Sequence, residues 1–208
     1  MRTSHSNSDN SPAEPHHDRI WDDETAEWYD EVYGDHFSTT LAVDLVSFNK
    51  TDVVLDIGCG SGSSCRSVAN EVTEGRVIGI DPTPGMVRIA REKSTDAPNV
   101  AIIEFMDGKA ERIPVDDRSV TVAMAVNSFH HWDDVDEGLA EVLRVLKKNG
   151  RFFIADEKLE NDLTHGEGPI SDPTNIEKLL LDAGFVDVAI SDHRHDDEEM
   201  YLFSSIKK

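Results

Sequence analysis

The residues best suited to chemistry lie in one stretch, Leu55-Asp56-Ile57-Gly58-Cys59-Gly60-Ser61-Gly62. Three glycines at alternate positions let the backbone turn tightly and let a ligand approach its amides. Such loops often hold phosphate, yet this spacing fits neither phosphate pattern. A dinucleotide fingerprint needs G-x-G-x-x-G; here Gly62 arrives one residue early and Ser63 occupies the fingerprint's glycine position. The Gly-Lys-Ser/Thr of a P-loop is also missing. Asp56 sharpens the point. Beside a pyrophosphate its carboxylate would repel by about 1–4 kcal/mol at a surface-like dielectric, whereas it would attract an ammonium or a sulfonium. Asp81 stands 21 residues after Gly60. An acid at that strand end hydrogen-bonds ribose hydroxyls, although acids also simply cap strand ends. Together these residues predict a nucleoside ligand, cationic near the first strand and free of phosphate. S-adenosylmethionine has that form.

A second candidate is the pair His130-His131. An imidazole titrates near neutrality and can act as a general base, with His130 ahead of His131. The structural reading is that the pair caps a strand and packs on Trp132. The only two cysteines, Cys59 and Cys65, make neither a disulfide framework nor a zinc site. They read as a loop filler and a helix residue, and no metal site is expected. His5, His16 and His17 read as solvated tail residues.

These groups need a scaffold. Residues 1–18 lack apolar periodicity and read as a disordered tail. Residues 20–48 read as helical pieces with an aromatic set, Trp21, Trp28, Tyr29, Val32, Tyr33 and Phe37. Strands then alternate with helices: strands at 53–57, 76–80, 100–105, 120–126 and 151–155, and helices at 63–72, 84–93 and 135–146. Thr83 is the expected cap of the second helix, and Asn149-Gly150 the stop after the third. A helix at 173–183 and strands at 186–190 and 201–205 complete the chain. The last two strands are too close for a crossover helix and should pair antiparallel. Alternation of this kind means a parallel sheet covered on both faces, with its ligand beyond the strands' C-terminal ends.

Composition limits the partners. The chain has 208 residues, with 20 Lys plus Arg against 42 Asp plus Glu, for a formal charge of −22. That length suits one core. Basic residues are scattered, so neither nucleic acid nor an anionic membrane is an expected partner. An acid excess with only 38% apolar residues points to a high-salt cytoplasm, where salt screens self-repulsion. No apolar run is long enough to span a bilayer, and the polar start lacks a signal peptide's apolar core. The expectation is a soluble cytoplasmic protein, a monomer or homodimer.

The chain resembles the class I S-adenosylmethionine-dependent methyltransferases, in particular their small-molecule branch. LDIGCGSG is similar to that family's first motif and GIDPTPGM, Gly79–Met86, to its second. His130–Asp156 resembles its helix and fifth strand. The resemblance implies a Rossmann-like, doubly wound α/β fold with a mostly parallel seven-stranded sheet and an antiparallel last strand. It implies a cap at 19–50, a cofactor-binding core at 51–157 and a closing helix and strands at 158–208. It implies that Asp56 and the loop Gly58, Cys59, Gly60, Gly62 hold the methionine end. Asp81 would take the ribose, Pro82 and Met86 the adenine, and Asn127 the reacting end; Tyr29 and Tyr33 would cover the cofactor. One position departs. Where relatives carry an adenine-reading Asp, this chain has Lys109, which cannot accept a hydrogen bond. Asp107 could serve if the loop shifts by two residues; otherwise the backbone at Lys109 and Ala110 must read the adenine, with weaker affinity.

The reaction implied is methyl transfer to a small molecule, giving S-adenosylhomocysteine. Asn127-Ser128-Phe129-His130 stands where DNA amino-methyltransferases carry Asn or Asp then Pro-Pro-Tyr, which argues against DNA bases. The rival readings are a non-catalytic relative working through a partner and a nicotinamide oxidoreductase. The acceptor's walls are expected from 20–48, 128–133 and 157–172.

Overall fold

A computed structural model describes residues 20–34, 36–157, 173–195 and 198–208. The strands are β1 (Val53–Ile57), β2 (Arg76–Asp81), β3 (Ile103–Asp107), β4 (Val120–Val126), β5 (Leu146–Glu157), β6 (Phe185–His195) and β7 (Glu198–Lys207). The helices are α1 (Asp23–Tyr33), α2 (Phe37–Leu45), α3 (Ser63–Glu71), α4 (Pro84–Ser94), α5 (Val135–Val145) and α6 (Pro173–Ala183). One sheet runs in the order β3-β2-β1-β4-β5-β7-β6. β1 to β5 pair in parallel, and β7 is antiparallel to both β5 and β6. The doubly wound sheet with an antiparallel last strand is therefore as expected.

The two faces of the sheet have separate cores. Leu55, Ile57 and Phe152 pack with Leu139 and Val142 of α5 and Ile176 and Leu180 of α6. On the other face Val54, Val77 and Val122 pack with Ala42 of α2, Cys65 and Val68 of α3, and Val87 and Ala90 of α4. Burial on both sides explains the continuous β-branched runs of β1 and β4. Strand order reverses between β1 and β4, so the crevice opens beyond their C-terminal ends. Over it lies α1. Ala26 packs on Met86 and Ile89 of α4, with Trp21 and Tyr29 alongside. A Cβ at Gly85 would come within 3.0 Å of the Ala26 Cβ, so this crossing needs glycine.

Several local expectations are corrected. Val100–Ile102 is a short 3-10 turn following Asn99 at φ 63°, so β3 starts three residues later than its apolar run. α5 stops at Val145, not at Asn149-Gly150. Leu146 already pairs with Val120, and Arg151 is the next residue to face β4, at Val122. Lys147–Gly150 therefore form an irregularity within β5, with Asn149 at φ 61°. Thr83 occupies the N-cap of α4 but its side chain makes no capping bond. The expected tail at 1–18 and part of the expected acceptor wall, 158–172, lie outside the described residues.

Candidate active site

A cavity of about 690 Å³ occupies the crevice, within the ~300–1,000 Å³ usual for small-molecule sites. Its floor at one end is the loop after β1. The amides of Gly58 and Cys59 both donate to the Ile80 carbonyl, at 2.8 and 2.9 Å, bending the chain back over β2. Gly58 has φ 76°, and a Cβ there would lie 2.5 Å from the Ser128 Cβ. No other residue fits.

Asp81 organises this end. Its Oδ2 accepts from the Gly60 amide at 3.0 Å and its Oδ1 from the Thr83 amide at 2.9 Å. One carboxylate thus joins the β1 loop to the start of α4, and it lines the cavity. Burial pushes its pKa up to about 6, against the pull of the two amides. Each oxygen keeps a second lone pair for a ligand hydroxyl. Cys59, Gly60, Pro82 and Met86 line the cavity beside it, as do Lys109 and Ala110. The Lys109 ammonium is held 3.2 Å from Asp133 and 3.4 Å from Glu111.

Three expected cofactor residues do not line it. Asp56 is 1% exposed and faces α3, where its Oδ2 accepts from Ser64 and lies 3.5 Å from the Cys65 thiol. Side chains alternate along a strand, so Asp56 shares the face of Val54, which α3 covers, and cannot reach past Ile57. Burial raises its pKa to about 6. The direct attraction expected between this carboxylate and a cationic ligand is therefore not how the site works. Gly62, at φ 79°, is the N-cap of α3; a Cβ there would strike the Phe105 ring at 2.7 Å, so it serves packing. Asp107 ends β3 with an exposed side chain outside the cavity, so the loop shift that would bring it to the adenine is absent.

The other end lies beyond β4 and β5. Asn127 takes φ 49°; its amide donates to the Ala155 carbonyl at 2.8 Å and its Nδ2 to Ser38 Oγ at 2.6 Å. Its Oδ1 is buried with no hydrogen-bond partner. His130 Nδ1 lies 2.9 Å from Oδ1 of Asp156, which is 1% exposed. Burial opposes the imidazolium, and the charge and hydrogen bond of Asp156 overcome it, so the His130 pKa is raised. The His131 ring lies tilted beside that of His130, with centroids 3.8 Å apart. His36 Nδ1 lies 3.0 Å from Glu157 Oε1, joining the segment before α2 to the end of β5. Trp21 and Tyr29, with ring centroids 4.6 Å apart, and Tyr29 and Tyr33, 5.0 Å apart, form the roof. Trp132 and Trp28 complete the aromatic wall.

A cationic nucleoside fits these groups. Asn127 lines the cavity and its Oδ1 is a buried acceptor without a partner in the fold, suited to an ammonium, and Gly60 leaves its ligand side open save for Met86 Cε, 3.5 Å from where a Cβ would stand. This sheet order, with a glycine loop after β1 and an acid ending β2, defines the class I S-adenosylmethionine-dependent methyltransferase fold. S-adenosylmethionine supplies an electrophilic methyl group on a sulfonium.

Comparisons place the chain further. The methyltransferase domain family matches residues 55–154. YrhH of Bacillus subtilis, named as a methyltransferase, is 30% identical over 151 residues, covering 72% of this chain and 77% of the relative. YcgJ of the same organism, also named as a methyltransferase, is 31% identical over 163 residues, covering 75% of this chain and 63%, less than two thirds, of the relative. Haemonchus contortus phosphoethanolamine N-methyltransferase 2, solved with S-adenosyl-L-methionine, superposes with a TM-score of 0.72 at 15% identity, over 89% of this chain and 57% of that one. The chain belongs to the methyltransferase domain family.

Sequence reasoning missed Asp156 as a site residue, and it covered His36, Ser38 and Glu157 only within the segments expected to wall the acceptor, without singling them out. Only Asp156 carried a signal: it stands near the end of β5 as Asp81 stands at the end of β2.

Proposed function

We propose that the chain transfers the methyl group of S-adenosylmethionine to a small-molecule acceptor. What carries this reading is one continuous cavity running from the β1 loop to the His130–Asp156 pair beneath an aromatic roof. Asp81 binds the ribose hydroxyls, and Pro82 and Met86 pack on the adenine, whose edge meets the backbone of Lys109 and Ala110. Asn127 Oδ1 accepts from the ammonium of the methionine end. Tyr29 and Tyr33 close over the cofactor. Residues 19–208 work as one unit, a cap at 19–50 over a core at 51–157. Calorimetry with S-adenosylmethionine and S-adenosylhomocysteine tests the reading, followed by a search for metabolites that gain a methyl mass. Saturable binding of both and a methylated product are expected; no binding overturns it.

The charge of −22 and the scattered basic residues support work in a salt-rich cytoplasm, as a monomer or homodimer, away from nucleic acid and membranes. Among the described residues no helix is long and apolar enough to cross a membrane. Tm should rise in molar KCl; an unchanged or lower Tm removes the halophilic part of this reading.

A further inference from the structure

We propose that His130 and Asp156 are a general-base pair and that the acceptor is an uncharged phenol. The proposal rests on the methyltransferase reading and names its substrate class.

Sheet order brings the pair together. β4 and β5 are neighbours with Val126 opposite Ala155, so the residue after Ala155 meets the turn that follows β4. Asp156 is buried, and its Oδ1 holds His130 Nδ1 at 2.9 Å. In the tautomer that donates from Nδ1 to Asp156, a neutral imidazole carries its lone pair on Nε2, and His130 lines the cavity near Asn127. A base of this kind matters only for a nucleophile that must shed a proton during transfer.

The surrounding charges limit that nucleophile. Asp156 and Glu157 of β5 act on His130, His131 lies beside it, and His36 before α2 and Tyr29 of α1 line the same cavity. Each carboxylate here faces a histidine. The Tyr29 hydroxyl, pushed up to about 12 by burial, stays neutral. Lys109 is the only lysine or arginine among the described lining residues, and Asp133 and Glu111 already hold it. Among the described lining residues, then, no lysine or arginine without acidic partners stands ready for a phosphate or carboxylate acceptor. The aromatic wall offers flat apolar faces, which suit a planar ring. Imidazole cannot usefully deprotonate an aliphatic alcohol, but a phenolic hydroxyl, with a pKa of about 10, lies within reach as transfer advances.

The step balances. The phenol oxygen bonds the methyl carbon, the carbon–sulfur bond breaks with its electron pair left on sulfur, and the hydroxyl proton passes to His130 Nε2. The imidazolium sits against Asp156 until water removes the proton.

The test uses the full chain with S-adenosylmethionine and four probes: catechol, 2-naphthol, benzoate and phenyl phosphate. Methylation of the two phenols is expected, with a rate rising as pH passes the His130 pKa. His130→Gln should lower kcat roughly 100-fold or more and remove the inflection of the pH profile, and Asp156→Asn should lower it about 10-fold and move the inflection to lower pH. Nitrogen NMR of the ligand-free protein supplies a readout apart from activity: the His130 pKa should lie above 6.5 and fall in Asp156→Asn. A merely structural pair would move Tm without moving the pH profile. Preference for benzoate or phenyl phosphate, or cofactor binding without phenol methylation, overturns the acceptor class. A His130 pKa indifferent to Asp156→Asn, or a pH profile whose inflection neither variant moves or removes, overturns the base pair even if His130→Gln fails to fold. Failure of the wild-type chain to bind cofactor overturns the methyltransferase reading and this proposal with it.

Discussion

The two ends of the parallel strands treat buried polar atoms in opposite ways. At the N-terminal end, Asp52 is 7% exposed and both its oxygens are occupied. Oδ1 accepts from Thr121 Oγ1 at 2.9 Å; Oδ2 accepts from the Asn49 amide at 2.8 Å and Arg151 Nη2 at 3.2 Å. At the C-terminal end, Asp56 Oδ1, Asn127 Oδ1 and Asp156 Oδ2 are buried without partners, as is Trp132 Nε1 just beyond. An unmet buried polar atom costs stability. Of the unmet atoms, those of Asn127 and Trp132 belong to residues that line the cavity and are the ones a ligand can meet; Asp56 lies under α3, and Ser94 Oγ, also unmet, closes α4 away from the site. Charge type does not separate the ends, since both carry buried aspartates; the contrast is between Asp52, with both oxygens bonded, and Asp56 and Asp156, each with one oxygen unmet.

Substitutions at each end sharpen the contrast. The largest effect is expected from Gly58→Ala, whose methyl meets Ser128 at 2.5 Å with the backbone at φ 76°. Calorimetry should show cofactor affinity reduced roughly 100-fold or more, because the loop must move to relieve the clash. Asp52→Asn should do the reverse. Losing the charge that holds Arg151 should cost about 2–3 kcal/mol in denaturant unfolding, with cofactor Kd within about twofold of wild type. A loss of binding there would break the division between the ends. Asn127→Ala removes the unpartnered Oδ1 but also the Nδ2–Ser38 bond, and places alanine at φ 49°, so Tm should fall by about 2–4 °C while Kd rises about tenfold, the worth of one hydrogen bond to a charged group.

The smallest effect concerns pH. Burial lifts the Asp56 pKa from 3.8 to about 6, so the folded state favours the protonated form. Its contribution is most favourable below pH ~4, declines between ~4 and ~6 and stays low above, because the native state binds the extra proton in that window. Asp81 adds a decline in the same range. Asp56→Asn should therefore raise Tm at pH 7 by about 2–4 °C, roughly 1 kcal/mol at this chain length, with the gap closing near pH 4. An equal gap at both pH values would show that Asp56 is not protonated by burial.

Much of the scaffold was legible in order. The β-branched runs of β1 and β4, Pro84 opening α4 and Gly184 closing α6 are local signals, read within a few residues. The place of Asp81 at the cavity was legible too, because it depends on ending a strand. The misreadings have a common source. Val100–Ile102 has strand composition yet turns helically after Asn99. Leu146 leaves its helix early because Val120 is there to pair with it.

The sequence by itself therefore determined which segments alternate, where the glycine loop falls and that an acid ends β2. Only the tertiary structure decided that Asp56 points under α3, that Asp156 meets His130, and that His36 reaches Glu157. Periodicity assigns a residue to one of two faces, but what covers that face, and which strand ends adjoin, follows from sheet order. That order is set by packing between segments far apart in the chain.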